Sequence, residues 1–211
     1  MSFLKMQVMS IKKTLKASEQ DRKDIKIARE AWRQMQKTLP VHRIVCIDES
    51  AAKTNMTRMY GRAPAGQRCH DSAPDSRWKT TTMLSSLRAD GHTECVIYEG
   101  GTTRALFETY VTEMLCPTLR LGDIVIMDNL SSHKSQVITE NINKCGAELK
   151  YLPAYSPDLN PIEKMWSKLK AILRKLKART TKELDNAIAT GLAAVTPEDA
   201  IAWFTSCGYE S

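Results

Sequence analysis

Two short runs of this sequence are apolar on both faces, Val41 to Ile47 and Ile124 to Met127, and an aspartate follows each at once: Asp48 and Asp128. A strand with one wet face would alternate polar and apolar residues. These runs predict strands in the middle of a sheet with both sides covered, so helices must lie on both faces, which is an α/β arrangement. Each aspartate is expected to end its strand. With 211 residues the chain can bury one full core.

The remaining patterns fill in around those strands. Trp78 to Leu87 and Thr93 to Tyr98 read as an antiparallel hairpin turned at Ala89-Asp90-Gly91. Helical spacing of Leu106, Phe107, Tyr110 and Met114 predicts a helix over Thr103 to Leu119, broken by Pro117, and Gly122-Asp123 turns the chain into the second apolar run. A helix from about Lys134 to Lys144 stops at Gly146, and a strand follows at 148–152. Asn160 as N-cap and Pro161 at the first position open an amphipathic helix whose stripe is Ile162, Met165, Trp166, Leu169, Leu173 and Leu176. Thr180 or Thr181 caps a further helix to about Ala194, and Thr196 to Asp199 caps a last one that ends at Gly208.

Before the first strand, residues 1–40 read as a leader and a helix, with a capping box from Ser18 to Asp21 and Ile25, Ala28, Trp32 and Met35 on one face. Between Glu49 and Arg77 the pattern dissolves into a basic loop with a minor strand around Met59-Tyr60. The expected division is a leader (1–40), a mixed five-stranded α/β unit (41–179) and C-terminal helices packed on it (180–211).

Charge points to a polyanion. The net charge is +7, residues 1–40 hold ten Lys or Arg against four acids, and Lys164 to Lys182 holds eight basic residues and no acid. A basic face of this kind suits nucleic acid, although a solvated helix face has the same composition. The six cysteines show neither zinc spacing nor a CxxC pair, which predicts free thiols in a reducing, cytoplasmic setting, and no apolar stretch predicts a membrane span.

If the strands that end at Asp48 and Asp128 are parallel neighbours, their carboxylates meet at one edge of the sheet, where α/β proteins bind ligands. Glu163, one turn into the helix after the next strand, is a third carboxylate. Equally, Glu163 stands at N3 from Asn160 and could close a capping box. A cluster of three carboxylates needs cations, and all-oxygen ligation suits Mg²⁺ or Mn²⁺. Two such ions about 3.5–4 Å apart can activate a water and stabilise a leaving oxygen at a phosphodiester.

Three blocks carry a family resemblance: Ile47-Asp48-Glu49-Ser50; Met127-Asp128-Asn129 with Ser132-His133-Lys134; and Tyr155-Ser156-Pro157-Asp158-Leu159-Asn160-Pro161-Ile162-Glu163. They resemble the mariner-superfamily DDE transposases, with 34 residues between the second and third acids. The stretch from Thr54 to Pro64 and Trp78-Lys79-Thr80-Thr81-Thr82 are similar to the bacterial insertion-sequence members of the IS six-thirty type. The resemblance implies an RNase H-like fold and divalent-metal cleavage of DNA at transposon ends. The freed 3′-hydroxyl would then attack a TA-containing target, and the protein would act as a homodimer on DNA. It implies Asp48, Asp128 and Glu163 as ligands of two ions, with Asp48 bridging, and Asn129 and His133 as supporting residues. Asp158 is the rival third carboxylate, although its Pro-Asp turn suggests a turn role. Arg58, Arg62, Lys170 and Arg174 are the expected DNA contacts.

Full-length relatives carry helix-turn-helix modules ahead of the catalytic domain, and the leader resembles the linker that follows them. The chain therefore reads as a catalytic half that works with an upstream DNA-binding half. The competing readings are a catalytically silent regulator that binds DNA or transposase, and a host nuclease of the same fold.

Overall fold

In the computed structural model the protein is described over residues 16–129 and 134–210. Five strands form one sheet in the order β3-β2-β1-β4-β5: β1 Ile44–Lys53, β2 Thr80–Arg88, β3 Cys95–Glu99, β4 Ile124–Met127 and β5 Glu148–Tyr151. β1 pairs antiparallel with β2 and parallel with β4, and β4 pairs parallel with β5. The two apolar runs are therefore parallel neighbours in mid-sheet, as their composition requires.

Strand alternation sorts their side chains. Ile44, Cys46, Ile124 and Ile126 pack on one face against α1 (Lys23–Gln36), α4 (Ile162–Leu176), α5 (Thr181–Ala193) and α6 (Pro197–Ser206). Val45, Ile47, Val125 and Met127 pack on the other against α2 (Arg104–Tyr110) and α3 (Gln136–Lys144). Both faces are dry, which is why neither run alternates.

Several boundaries differ from expectation for identifiable reasons. Val41–Arg43 is a 3₁₀ turn, with the Arg43 amide donating to the Pro40 carbonyl at 2.9 Å, so β1 starts at Ile44. β1 does not stop at Asp48. Its antiparallel register with β2 continues to Lys53 opposite Thr80, so only its pairing with β4 ends before the aspartate. The helix expected over Thr103 to Leu119 is regular only to Tyr110; it widens into a π turn at Val111–Leu115 and tightens at Cys116–Thr118, where Pro117 has no amide to donate. No strand forms at Met59-Tyr60, and 55–78 is an exposed excursion closed at its base by Thr54 and Lys79.

The capping box at Ser18 does not form, because the Asp21 carboxylate binds Lys16 and Lys26 instead. The buried face of α1 is Ile25, Arg29, Trp32 and Gln36, leaving Ala28 exposed. Leu176, at the end of α4, also stays exposed. The caps at Thr180 and Thr196 are complete boxes with Glu183 and Asp199. Gly146 and Gly208 end their helices at positive φ, 73° and 91°.

At the opposite end of the sheet from Asp48, Arg88 and Asp123 form an ion pair of 2.6 Å with side chains 3% and 2% exposed. Burial works to raise the Asp123 pKa, but the Arg88 guanidinium and the Arg120 amide outweigh it and the net shift is downward. The pair therefore stabilises fully above the ordinary carboxylate range, and that stabilisation is lost as pH falls through the lowered value. Asp123→Asn is expected to cost about 3–5 kcal/mol at neutral pH, because it strands a buried guanidinium. Urea melts of the two proteins measure the difference, which should shrink in acid.

Candidate active site

Asp48 follows Cys46 and Asp128 follows Ile126 by two residues, and Cys46 and Ile126 are register partners. Alternation thus carries both carboxylates to the sheet face covered by α4, at the carboxyl end of the parallel pair. Helix α4 brings Glu163 to the same place. It is fixed by Ile162, Met165, Trp166, Leu169 and Leu173, each at most 1% exposed, and burial of such a side chain contributes about 1.5–3 kcal/mol. Asp48, Asp128 and Glu163 line one cleft of about 430 Å³, together with Asn129, Leu152, the stretch Pro153 to Pro157 and Asn160.

The electrostatics show that the three acids sense one another. Burial first, and then the charges of Glu163 and Asp128, push the Asp48 pKa up to about 7, against a hydrogen bond from Trp166 Nε1 to Asp48 Oδ2 of 3.2 Å. Glu163 is raised too, by burial and by Asp128, with Lys170 opposing. Carboxylates clustered in this way form a site whose charge cations would neutralise.

The capping box for Glu163 is not formed. Pro161 opens α4 with no side-chain cap, and Asn160 Oδ1 is buried without a hydrogen-bond partner. The Glu163 amide instead donates to the Asn160 backbone carbonyl at 3.2 Å. Asp158, the rival third acid, is engaged elsewhere: Arg29 grips both its oxygens, at 2.9 and 2.6 Å.

The donors fit Mg²⁺ or Mn²⁺ by type, being three carboxylates and the orphaned amide oxygen of Asn160. Among the described residues no three acidic, histidine or cysteine side chains stand close enough to form a closed ligand set, so the carboxylates share a cleft without sharing a cage.

Residues 43–185, more than half of the chain, match the family described as DDE superfamily endonuclease. The chain belongs to this family.

Solved structures agree with that membership of the DDE endonucleases. The Mos1 transposase paired-end complex with left transposon end is similar at a TM-score of 0.77 and 20% identity, covering 96% of this chain and 64% of that one. The mariner Mos1 paired-end complex with Mg is similar at 0.74 and 18%, with coverage of 96% and 64%. The catalytic domain of Mos1 mariner transposase is similar at 0.60 and 17%, with 96% of this chain and 100% of that one covered. At these identities the likeness establishes the RNase H-like fold. The chain spans about 64% of the length of the Mos1 chain in the paired-end complexes. No curated protein matches the sequence significantly.

Around the DDE cleft, Asn129 is exposed on its wall, whereas His133 lies outside the described residues. Lys170 and Arg174 follow Glu163 at helical spacing down one side of α4. Arg58 and Arg62 line a groove with Lys175 and Lys177 at the far end of that helix. The excursion is tied there by Lys177 to Asp71 at 2.6 Å and by Arg179 to the Thr54 and Met56 carbonyls, both at 3.0 Å. Trp166, which bonds Asp48, and Arg29, which bonds the cleft loop at Ser156, are contacts that sequence reasoning missed. Trp166 was already accounted for as a core residue of the α4 stripe, and Arg29 as one charge among the basic residues of the leader.

Proposed function

We propose that this chain is the catalytic part of a transposase of the insertion-sequence type, acting inside the cell on double-stranded DNA. It nicks transposon ends and joins the freed 3′-hydroxyl to a TA-containing target. Asp48, Asp128 and Glu163 would hold two Mg²⁺ or Mn²⁺ ions, which would supply the charge for phosphodiester chemistry. The observation that carries the reading is the convergence of these three acids in one cleft, where burial and mutual charge push Asp48 up to about 7. The Mos1 structures with transposon-end DNA, Mg and Mn support it.

Bound cations supply charge neutralisation at the scissile phosphate and a lowered pKa for the attacking water or hydroxyl. The protein's own part is placement. Trp166 holds Asp48 by its Oδ2, the packed α4 holds Glu163, and the loop before α4 walls the same cleft. Lys170 and Arg174, with Arg58 and Arg62 beyond, give duplex DNA a basic path away from the cleft. We further propose that two copies act on paired ends and that an upstream helix-turn-helix half supplies end recognition.

The test is nicking of a plasmid carrying the element's ends, with the upstream half supplied in trans. Cleavage is expected with Mg²⁺ or Mn²⁺ and none after EDTA, so cleavage that persists in EDTA removes the metal assignment. Binding by this chain alone is expected to be weak and phosphate-directed, with log K falling linearly against log salt and little preference for terminal repeats over random duplex. Arg58→Ala/Arg62→Ala and Lys170→Ala/Arg174→Ala should each weaken binding on all sequences and reduce the salt slope by about one to two. Tight, salt-insensitive, repeat-specific binding would place recognition within these residues.

A further inference from the structure

The cleft wall that leads into Glu163 is a loop with little structure of its own. Residues 153–160 contain one 3₁₀ turn, Pro157–Leu159, and Tyr155, 45% exposed, sits at the cleft in the left-handed region at φ 57°. A non-glycine residue held there costs about 1 kcal/mol or more and persists only when its surroundings impose it.

Helix α1 imposes it. Arg29 is 6% exposed, and its guanidinium donates to Ser156 Oγ at 2.7 Å, to both Asp158 oxygens at 2.9 and 2.6 Å, and to the Tyr155 carbonyl at 3.5 Å. Gln20 donates to the same Tyr155 carbonyl at 2.6 Å, and Ser156 Oγ passes a hydrogen bond to the Ala154 carbonyl at 3.1 Å. On the other side, Tyr209 donates to the Leu159 carbonyl at 3.0 Å. One planar guanidinium thus fixes Tyr155, Ser156 and Asp158 together, which an ammonium cannot do.

A charge buried this deeply against a partner that is half-exposed is a poor device for stability alone, because desolvation offsets much of the attraction. What the arrangement does achieve is a single conformation for a strained wall. We propose that Arg29 is a positioning residue for the reaction: from outside the carboxylate cluster it holds the 153–160 loop in the shape that seats the DNA strand against Asp48, Asp128 and Glu163. This role in catalysis rests on the strand-cleavage reading above, whereas the clamp itself can be measured without it.

The experiment compares the full chain with Arg29→Ala and Arg29→Lys by hydrogen exchange and by nicking, at a temperature below every variant's melting transition. Arg29→Ala should fold, since the Asp158 it abandons can be hydrated. Amides of 154–160 are expected to exchange about tenfold faster or more in both variants, while those of β1 and β4 are unchanged. Nicking at saturating Mn²⁺ should fall about 30-fold or more, with the Mn²⁺ concentration for half-maximal rate moved by no more than about threefold, because the three carboxylates lie off the loop and only the weaker Asn160 oxygen lies on it. Millimolar guanidinium should restore part of the rate to Arg29→Ala and none to Arg29→Lys, whose side chain still fills the space.

A lowered melting temperature with unchanged loop exchange and unchanged rate overturns the proposal and leaves Arg29 a structural residue. Glu163→Gln, run alongside, separates the two readings. If that variant nicks like the unaltered protein, the carboxylate mechanism fails, while loop exchange still decides whether Arg29 is the clamp.

Discussion

Glu163→Gln is expected to lower nicking by about three orders of magnitude or more, roughly 4 kcal/mol of transition-state stabilisation, with a melting temperature no lower than that of the wild type. The change is isosteric, and α4 is held by its buried stripe rather than by the Glu163 side chain. Gln could close a capping box as well as Glu, so a capping role predicts a silent variant. The structure already opposes that role, since the cap is unmade and Asn160 Oδ1 has no partner. A metal-ligand role predicts loss of the charge that holds an ion, with no loss of folding stability. Asp158 could replace Glu163 as the third ligand only by leaving Arg29, so an active Glu163→Gln would require that ion pair to break in the working enzyme.

Much of this was legible in the residues because the signals were local. Apolar runs of four to seven residues can satisfy their surroundings only in mid-sheet, and the stripe after Asn160 has one solution as a helix. Once β1 and β4 are parallel neighbours, Asp48 and Asp128 must meet, and the carboxyl-edge placement follows from alternation. What the sequence concealed depends on contacts between distant segments. That β1 runs on past Asp48 is decided by β2, whose Thr80 to Ser85 pair with Lys53 to Asp48.

The leader shows the same limit. A helix with Ile25, Trp32 and Met35 invites Ala28 onto its buried face, and nothing local announces that Arg29 is buried instead. Its partners Ser156 and Asp158 lie 127 and 129 residues away. Likewise Trp166 satisfies the apolar stripe so well that its indole hydrogen bond to Asp48 left no trace in the pattern.

Asp48→Asn carries the other large effect, and it has two parts of opposite sign. Asp48 ionises in the unfolded chain in the ordinary carboxylate range, but in the metal-free folded protein only around pH 7. Its burial therefore costs nothing below the unfolded value, and the cost grows as pH rises between the two, to at most about 4 kcal/mol above pH 7. Asn keeps an oxygen to accept from Trp166 and carries no charge. The metal-free variant should melt higher than the wild type at pH 8 and equally at pH 4, and added Mg²⁺ should raise the wild-type melting temperature more than that of the variant. In activity the same substitution removes one of the three carboxylates proposed to hold the metal.

The most direct measurement of the central claim is the nicking rate of wild type and Asp48→Asn side by side across a Mg²⁺ titration. The account predicts a wild-type rate that rises to saturation with Mg²⁺ and no detectable cleavage by Asp48→Asn at any concentration. Near wild-type nicking by Asp48→Asn at saturating Mg²⁺ would contradict it.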